Sequence, residues 1–123
     1  DYWNHGLAQT NMVQQAAIKV EKINGPILLF SGIDDNVWPS TLMSNMIERR
    51  LEEHGFEHSF QNVTYENAGH LISTNPDDNS GYRTGTMNID GKDYQYEYGG
   101  TNEGDFEAKK DARVKLMEFL KLI

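Results

Sequence analysis

An apolar run from Ile27 to Phe30, opened by Gly25-Pro26 and closed by Ser31, constrains this chain more than any other feature. A run that short and apolar at every position reads as a strand buried on both faces, the kind parallel sheets use. Pro39-Ser40 then begins a helix. Its stripe is Leu42, Met43, Met46, Ile47 and Leu51, with Glu48, Arg49, Arg50, Glu52 and Glu53 mostly opposite. His54-Gly55 supplies a stop, and Ser59 to Tyr65 reads as a second strand. Strand, helix, strand in so short a stretch is a βαβ unit, so the fold class is α/β.

The remainder is less dense. Residues 1–17 are polar and glutamine-rich, a short surface helix or an irregular lead-in. Asn75 to Gly85 reads as loop. Thr86 to Tyr98 reads as a hairpin, because Asp90-Gly91 is a strong two-residue turn between Met87/Ile89 and Tyr94/Tyr96/Tyr98. Gly99-Gly100 ends it. Asn102 is placed to cap a last helix with a core stripe of Ala112, Leu116, Leu120 and Ile123, flanked by Phe106, Met117 and Phe119.

Bulk properties exclude several classes. The net charge is −8, the wrong sign for nucleic acid or an anionic membrane surface. No apolar run approaches the roughly 18 residues of a membrane span. With no cysteine there is neither a disulfide nor a thiolate metal site, which fits a reducing, cytoplasmic setting. No cofactor or metal is called for. His5, His54 and His58 lack ligand spacing, and Asp77-Asp78-Asn79 lacks the glycine and glutamate of a calcium loop. The sequon Asn62-Val63-Thr64 falls inside a strand.

What carries chemistry is GIDDNVWPS, Gly32 to Ser40, together with NAGHL, Asn67 to Leu71. Each run follows a strand of the same βαβ unit. Both therefore lie at the carboxyl edge of one sheet, where α/β proteins gather their working groups. A carboxylate on one loop can accept the Nδ1 hydrogen of a histidine on the next, leaving Nε2 to serve as a base. Asp35 is the favoured acid, with Asp34 more suited to capping the turn, and His70 is the base. Gly69 permits a tight turn before it. Trp38 is assigned to the substrate pocket, core filling being its other possible use. No G-x-S-x-G nucleophile turn occurs in these residues.

The stretch IKVEKINGPILLFSGIDDNVWPS, the helix end RLEEHG and the run YENAGHLI resemble the C-terminal domain of the acyl-CoA thioesterase / bile acid-CoA:amino acid N-acyltransferase family. Members are α/β-hydrolases related to dienelactone hydrolase. The resemblance is close from Ala17 to Ile72 and returns in GGTNEGDFEAKKDARVKLMEFLK. It implies that Asp35, fourth in G-x-x-D, is the triad acid and that His70, in A-G-H-L, is the triad histidine. The family nucleophile, a Ser in thioesterases and usually a Cys in the transferases, has no counterpart here. The spacing from Asp35 to His70 is one residue longer than the family pattern implies, which predicts a bulge near Gln61-Asn62.

Residues 1–123 are thus expected to be the C-terminal part of one α/β-hydrolase domain: a βαβ unit, an inserted β-hairpin and a terminal helix. The expected function is cleavage of acyl-CoA or another acyl ester, with Asp35 and His70 supplied from this chain and a Ser from elsewhere. A carboxylesterase or peptidase of the dienelactone-hydrolase or prolyl-oligopeptidase type is the alternative. A non-catalytic interaction domain is a third. Without a nucleophile the chain alone is expected to be inactive, and the apolar Ile27–Phe30 edge predicts that it self-associates.

Overall fold

A computed structural model of the protein describes residues 2–72 and 83–123. Most of the loop expected over Asn75 to Gly85, with Asp77-Asp78-Asn79, lies outside the described residues. Two short helices, α1 (Tyr2–Leu7) and α2 (Thr10–Ala16), lead through a 3-10 turn (Val20–Lys22) into β1 (Ile27–Gly32). Then come α3 (Ser40–Glu53), β2 (Phe60–Tyr65), the hairpin strands β3 (Thr84–Ile89) and β4 (Lys92–Glu97), and α4 (Asn102–Leu120).

β1 and β2 pair in parallel, Ile27 opposite Phe60 through Gly32 opposite Tyr65. The register is one to one, so the bulge expected at Gln61-Asn62 is absent. Parallel ladders seldom accept one. Asn62 keeps its place in the strand and turns its amide to α3, donating from Nδ2 to Asn45 Oδ1 at 2.9 Å and to Glu48.

Alternation along the strands assigns the two faces. Ser31 meets α3 through Ser44 Oγ at 3.1 Å and Thr41 Oγ1 at 3.2 Å. The face carrying Tyr65 meets α4, where the Tyr65 hydroxyl donates to Asp111 Oδ2 at 2.9 Å. Burial, and then this carboxylate, push the Tyr65 hydroxyl well above its ordinary pKa. Helices on both faces of a parallel pair give an α/β/α layering. Among the described residues, the fully buried apolar side chains are Leu51, Ala68, Ala108 and Ala112.

Two expected stripes need correction. In α3 the sheet is met by Thr41 and Ser44 and, through Asn62, by Asn45 and Glu48; of the expected stripe Leu51 is buried, while Leu42 is exposed and Met43, Met46 and Ile47 face an apolar groove shared with Leu7 and Val13. In α4 Leu120 and the following Ile123 are exposed. A 19-residue helix is about 28 Å long, longer than the roughly 20 Å of a six-residue strand. The cap of α4 is also Thr101 rather than Asn102: its Oγ1 accepts from Gly104 N at 2.9 Å.

The local signals at the ends of elements hold. Gly55, at φ +60°, closes α3, and Phe56 N donates back to Leu51 O at 3.0 Å. Asp90 and Gly91, at φ 52° and 80°, form the tight hairpin turn, and β3 starts at Thr84 rather than Thr86. The hairpin is a separate two-stranded sheet. Among the described residues no helix is long and apolar enough to cross a membrane.

Candidate active site

The acid loop leaves β1 at Gly32. Asp35 shapes it, accepting at Oδ1 from Val37 N at 2.8 Å and Trp38 N at 3.1 Å. The turn-forming carboxylate is therefore Asp35 and not Asp34, whose expected capping role is overturned. An aspartate that binds its own downstream amides is held in one rotamer. Its side chain is 3% exposed.

The second loop leaves β2 at Tyr65. Asn67 takes the left-handed conformation at φ 56°, which asparagine tolerates. Gly69 serves space rather than turning: a Cβ there would lie 2.3 Å from Gly99 O. His70 then faces the acid loop, with Nδ1 3.1 Å from Asp35 Oδ2. A carboxylate only accepts, so this bond puts the imidazole proton on Nδ1 and the lone pair on Nε2. The His70 side chain is 22% exposed. Trp38 lies edge-on to its ring at 4.8 Å, and Tyr98 lies nearly parallel to it at 6.1 Å. Trp38 also meets Trp3 of α1 at 5.9 Å. The tryptophan is thus a wall of the histidine and is 41% exposed.

A third segment joins the two loops. Tyr98 O accepts from Asn36 N at 3.3 Å and from His70 N at 2.9 Å. Gly99 bridges to Asp35, and Gly100 bridges to Ala68. Both glycines are left-handed, at φ 80° and 70°. A Cβ on Gly99 would stand 1.8 Å from Asp34 O, so the segment fits only without side chains. In the sequence Gly99-Gly100 reads only as the end of the hairpin. The doubled glycine was the one available signal, and nothing in it named the loops it enters.

No local pattern in the sequence singles out Arg83 or Asp105. Arg83 reaches Asp105 Oδ2 at 3.0 Å and Gly99 O at 2.8 Å, and also bonds Gly100 O. Asp105 Oδ1 accepts from Gly69 N at 2.8 Å. These contacts span 16 to 36 residues, beyond any local pattern. A polar cavity of about 510 Å³ opens beside the acid loop, lined by Asp34, Asp35, Asn36, Arg83, Glu97 and Gly99 among others; Trp38 and His70 do not line it. His54 bonds Arg50 O and His58 packs on Phe56, so the structure does not bring them to this site. Among the described residues no cluster of three His, Cys, Asp or Glu could hold a metal.

The sequence matches the family described as BAAT / acyl-CoA thioester hydrolase C terminal over residues 4–122. Mouse acyl-coenzyme A thioesterase 6 is 36% identical over 72 residues, which is 58% of this chain and 16% of that protein. Mouse peroxisomal succinyl-coenzyme A thioesterase is 42% identical over 55 residues, 45% of this chain and 13% of that protein. Rat acyl-coenzyme A thioesterase 1 is 38% identical over 65 residues, 52% and 15% respectively. The chain therefore matches only a small part of each relative's length. That family implies an α/β-hydrolase-like fold, in keeping with the mixed helices and small sheets seen. A match running almost from end to end places this chain in the BAAT / acyl-CoA thioester hydrolase C-terminal family.

Proposed function

We propose that this chain supplies the base and the acid of an acyl-CoA thioester hydrolase, with His70 as base and Asp35 as its orienter. The observation that carries the reading is the 3.1 Å bond from His70 Nδ1 to a carboxylate whose other oxygen is fixed by two amides. The nucleophile, a Ser by family resemblance, belongs to sequence outside these 123 residues. Residues 1–123 are then the C-terminal part of one α/β-hydrolase domain and are inactive by themselves.

In this reading His70 Nε2 takes the proton of the serine hydroxyl as its oxygen attacks the thioester carbonyl. The imidazolium, stabilised by Asp35, returns that proton to the departing thiolate. An acyl-enzyme remains. Water, deprotonated by the same Nε2, releases the acid and restores the serine. Trp38 lines the approach to His70.

The family match and the thioesterase names of the relatives favour acyl-CoA over simple esters. The test is turnover by the full-length polypeptide that carries this chain. Acyl-CoA thioesters should exceed aryl esters in kcat/KM, and His70→Ala should lose ~10³-fold or more. Near wild-type turnover by His70→Ala would overturn the assignment. A cysteine-free composition supports a cytoplasmic setting, which imaging of the tagged full-length polypeptide checks. The isolated chain self-associates through β1, which pairs with β2 alone among the described residues.

A further inference from the structure

We infer that Arg83 and Asp105 are positioning residues of the reaction: they close a hydrogen-bonded circuit that sets the His70 imidazole against Asp35. The inference rests on the triad reading above. The circuit can be followed bond by bond. Arg83 donates to Asp105 Oδ2 at 3.0 Å. The other oxygen of Asp105 accepts from Gly69 N at 2.8 Å. The next residue, His70, donates from its own N to Tyr98 O at 2.9 Å. The residue after Tyr98, Gly99, returns its carbonyl to Arg83 at 2.8 Å. Tyr98 N closes a second loop onto Arg83 O at 2.8 Å.

Every anchor of the circuit flanks the acid or the base. Gly69 precedes His70, Gly99 bridges to Asp35, and Tyr98 O also accepts from Asn36 N, one residue past the acid. The two loops carrying the candidate groups are joined to each other through this circuit as well as through the Asp35–His70 bond itself. An arginine is suited to the task, because its planar fork serves several acceptors in fixed directions and a lysine cannot. The pair is only partly exposed, Arg83 at 31% and Asp105 at 16%. An ion pair taken that far from water gives little stability over apolar packing, so stability alone accounts poorly for its use. Control of a direction is the better account. A base misplaced by about an ångström costs up to 10²-fold in rate.

The test uses the full-length polypeptide with Arg83→Gln, Arg83→Lys, Asp105→Asn and His70→Ala. Two readouts are taken: kcat and KM on an acyl-CoA thioester, and the downfield proton resonance of the His70 Nδ1–H. In Arg83→Gln, kcat should fall ~10–10²-fold with KM within about threefold, since the loss is of orientation rather than of substrate contact. The Nδ1–H resonance should broaden or vanish. Arg83→Lys should not restore either readout. Asp105→Asn keeps an acceptor for Gly69 N while losing the ion pair, and should give a smaller loss of the same kind. The double variant Arg83→Gln/Asp105→Asn should be no slower than Arg83→Gln, because one circuit is broken only once. If Arg83→Gln and Asp105→Asn keep wild-type kcat and resonance while His70→Ala is dead, the positioning role is wrong and the triad stands. If His70→Ala is active, the triad reading itself fails. If Arg83→Gln does not fold, Asp105→Asn with unchanged kcat and resonance overturns the inference by itself.

Discussion

Asp35 divides its carboxylate between His70 and its own loop: Oδ2 lies 3.1 Å from His70 Nδ1, while Oδ1 accepts the amides of Val37 and Trp38. The same atom set that turns the chain therefore aims the histidine. Orientation of the acid is built into its own loop, whose amides fix the carboxylate that His70 meets.

Replacing Asp35 by Asn tests that division. The amide oxygen can still accept from Val37 and Trp38, so the loop should stay folded. Its NH₂ group then faces His70 Nδ1 and favours the tautomer with the proton on Nε2, which cannot act as base. The full-length polypeptide should lose about 10³–10⁴-fold in kcat, no more than His70→Ala, with little change in Tm. Steady-state kinetics beside a thermal melt is the check, and a rate near wild type would refute the role.

Gly99→Ala should be destabilising and should free the His70 loop. The left-handed φ of 80° alone costs an alanine about 1–2 kcal/mol, and its Cβ would stand 1.8 Å from Asp34 O. Urea unfolding should show a loss of at least ~2 kcal/mol. Amide exchange should quicken at His70 N, which now donates to Tyr98 O. Unchanged stability would mean that the segment does not thread between the loops as described.

Leu51→Ala addresses the core. Leu51 is 0% exposed, and its fully buried apolar companions among the described residues are all alanines. Losing the one large side chain should cost about 2–5 kcal/mol. In so lean a core that is enough to abolish a cooperative transition in calorimetry. A loss below ~1 kcal/mol would place the core elsewhere.

Acid should release the lead-in from α3. Arg50 binds Glu21 through Nε at 2.6 Å and Nη2 at 2.8 Å. This pair holds the Glu21 carboxyl at about 2, below its ordinary 4.5. A depressed pKa in the folded state means that the pair's stabilisation is complete above the ordinary value and is lost as pH falls from there through about 2. Glu21→Gln should flatten stability against pH over that window and leave neutral-pH behaviour of other groups unchanged. An identical acid slope in Glu21→Gln would show that other carboxylates set it.

The isolated 123-residue chain should associate with itself. Among the described residues β1 has β2 on one side and no strand on the other, and bare apolar edges recruit partners. Sedimentation velocity at micromolar concentration should show concentration-dependent species. A clean monomer with a cooperative melt would contradict this and weaken the reading of the chain as part of a larger domain.

Local pattern alone determined β1, α3, β2 and the Asp90-Gly91 turn, because each is specified by neighbours in sequence: an apolar run, an amphipathic stripe, a glycine stop, a turn dipeptide. It also brought Asp35 and His70 to one sheet edge, since both follow strands of a single βαβ unit. Tertiary structure decided the rest. The seating of Ser31 under Ser44 and Thr41, the choice of Thr101 as cap, the unbroken register at Asn62, and the use of Asp35 rather than Asp34 in the turn all depend on what packs or bonds nearby. The Arg83–Asp105 circuit and the passage of Gly99-Gly100 between the two loops depend on it most. Their partners lie tens of residues away, so their meaning is set by which backbones the fold brings together. A sequence read through neighbouring residues holds no record of that distance.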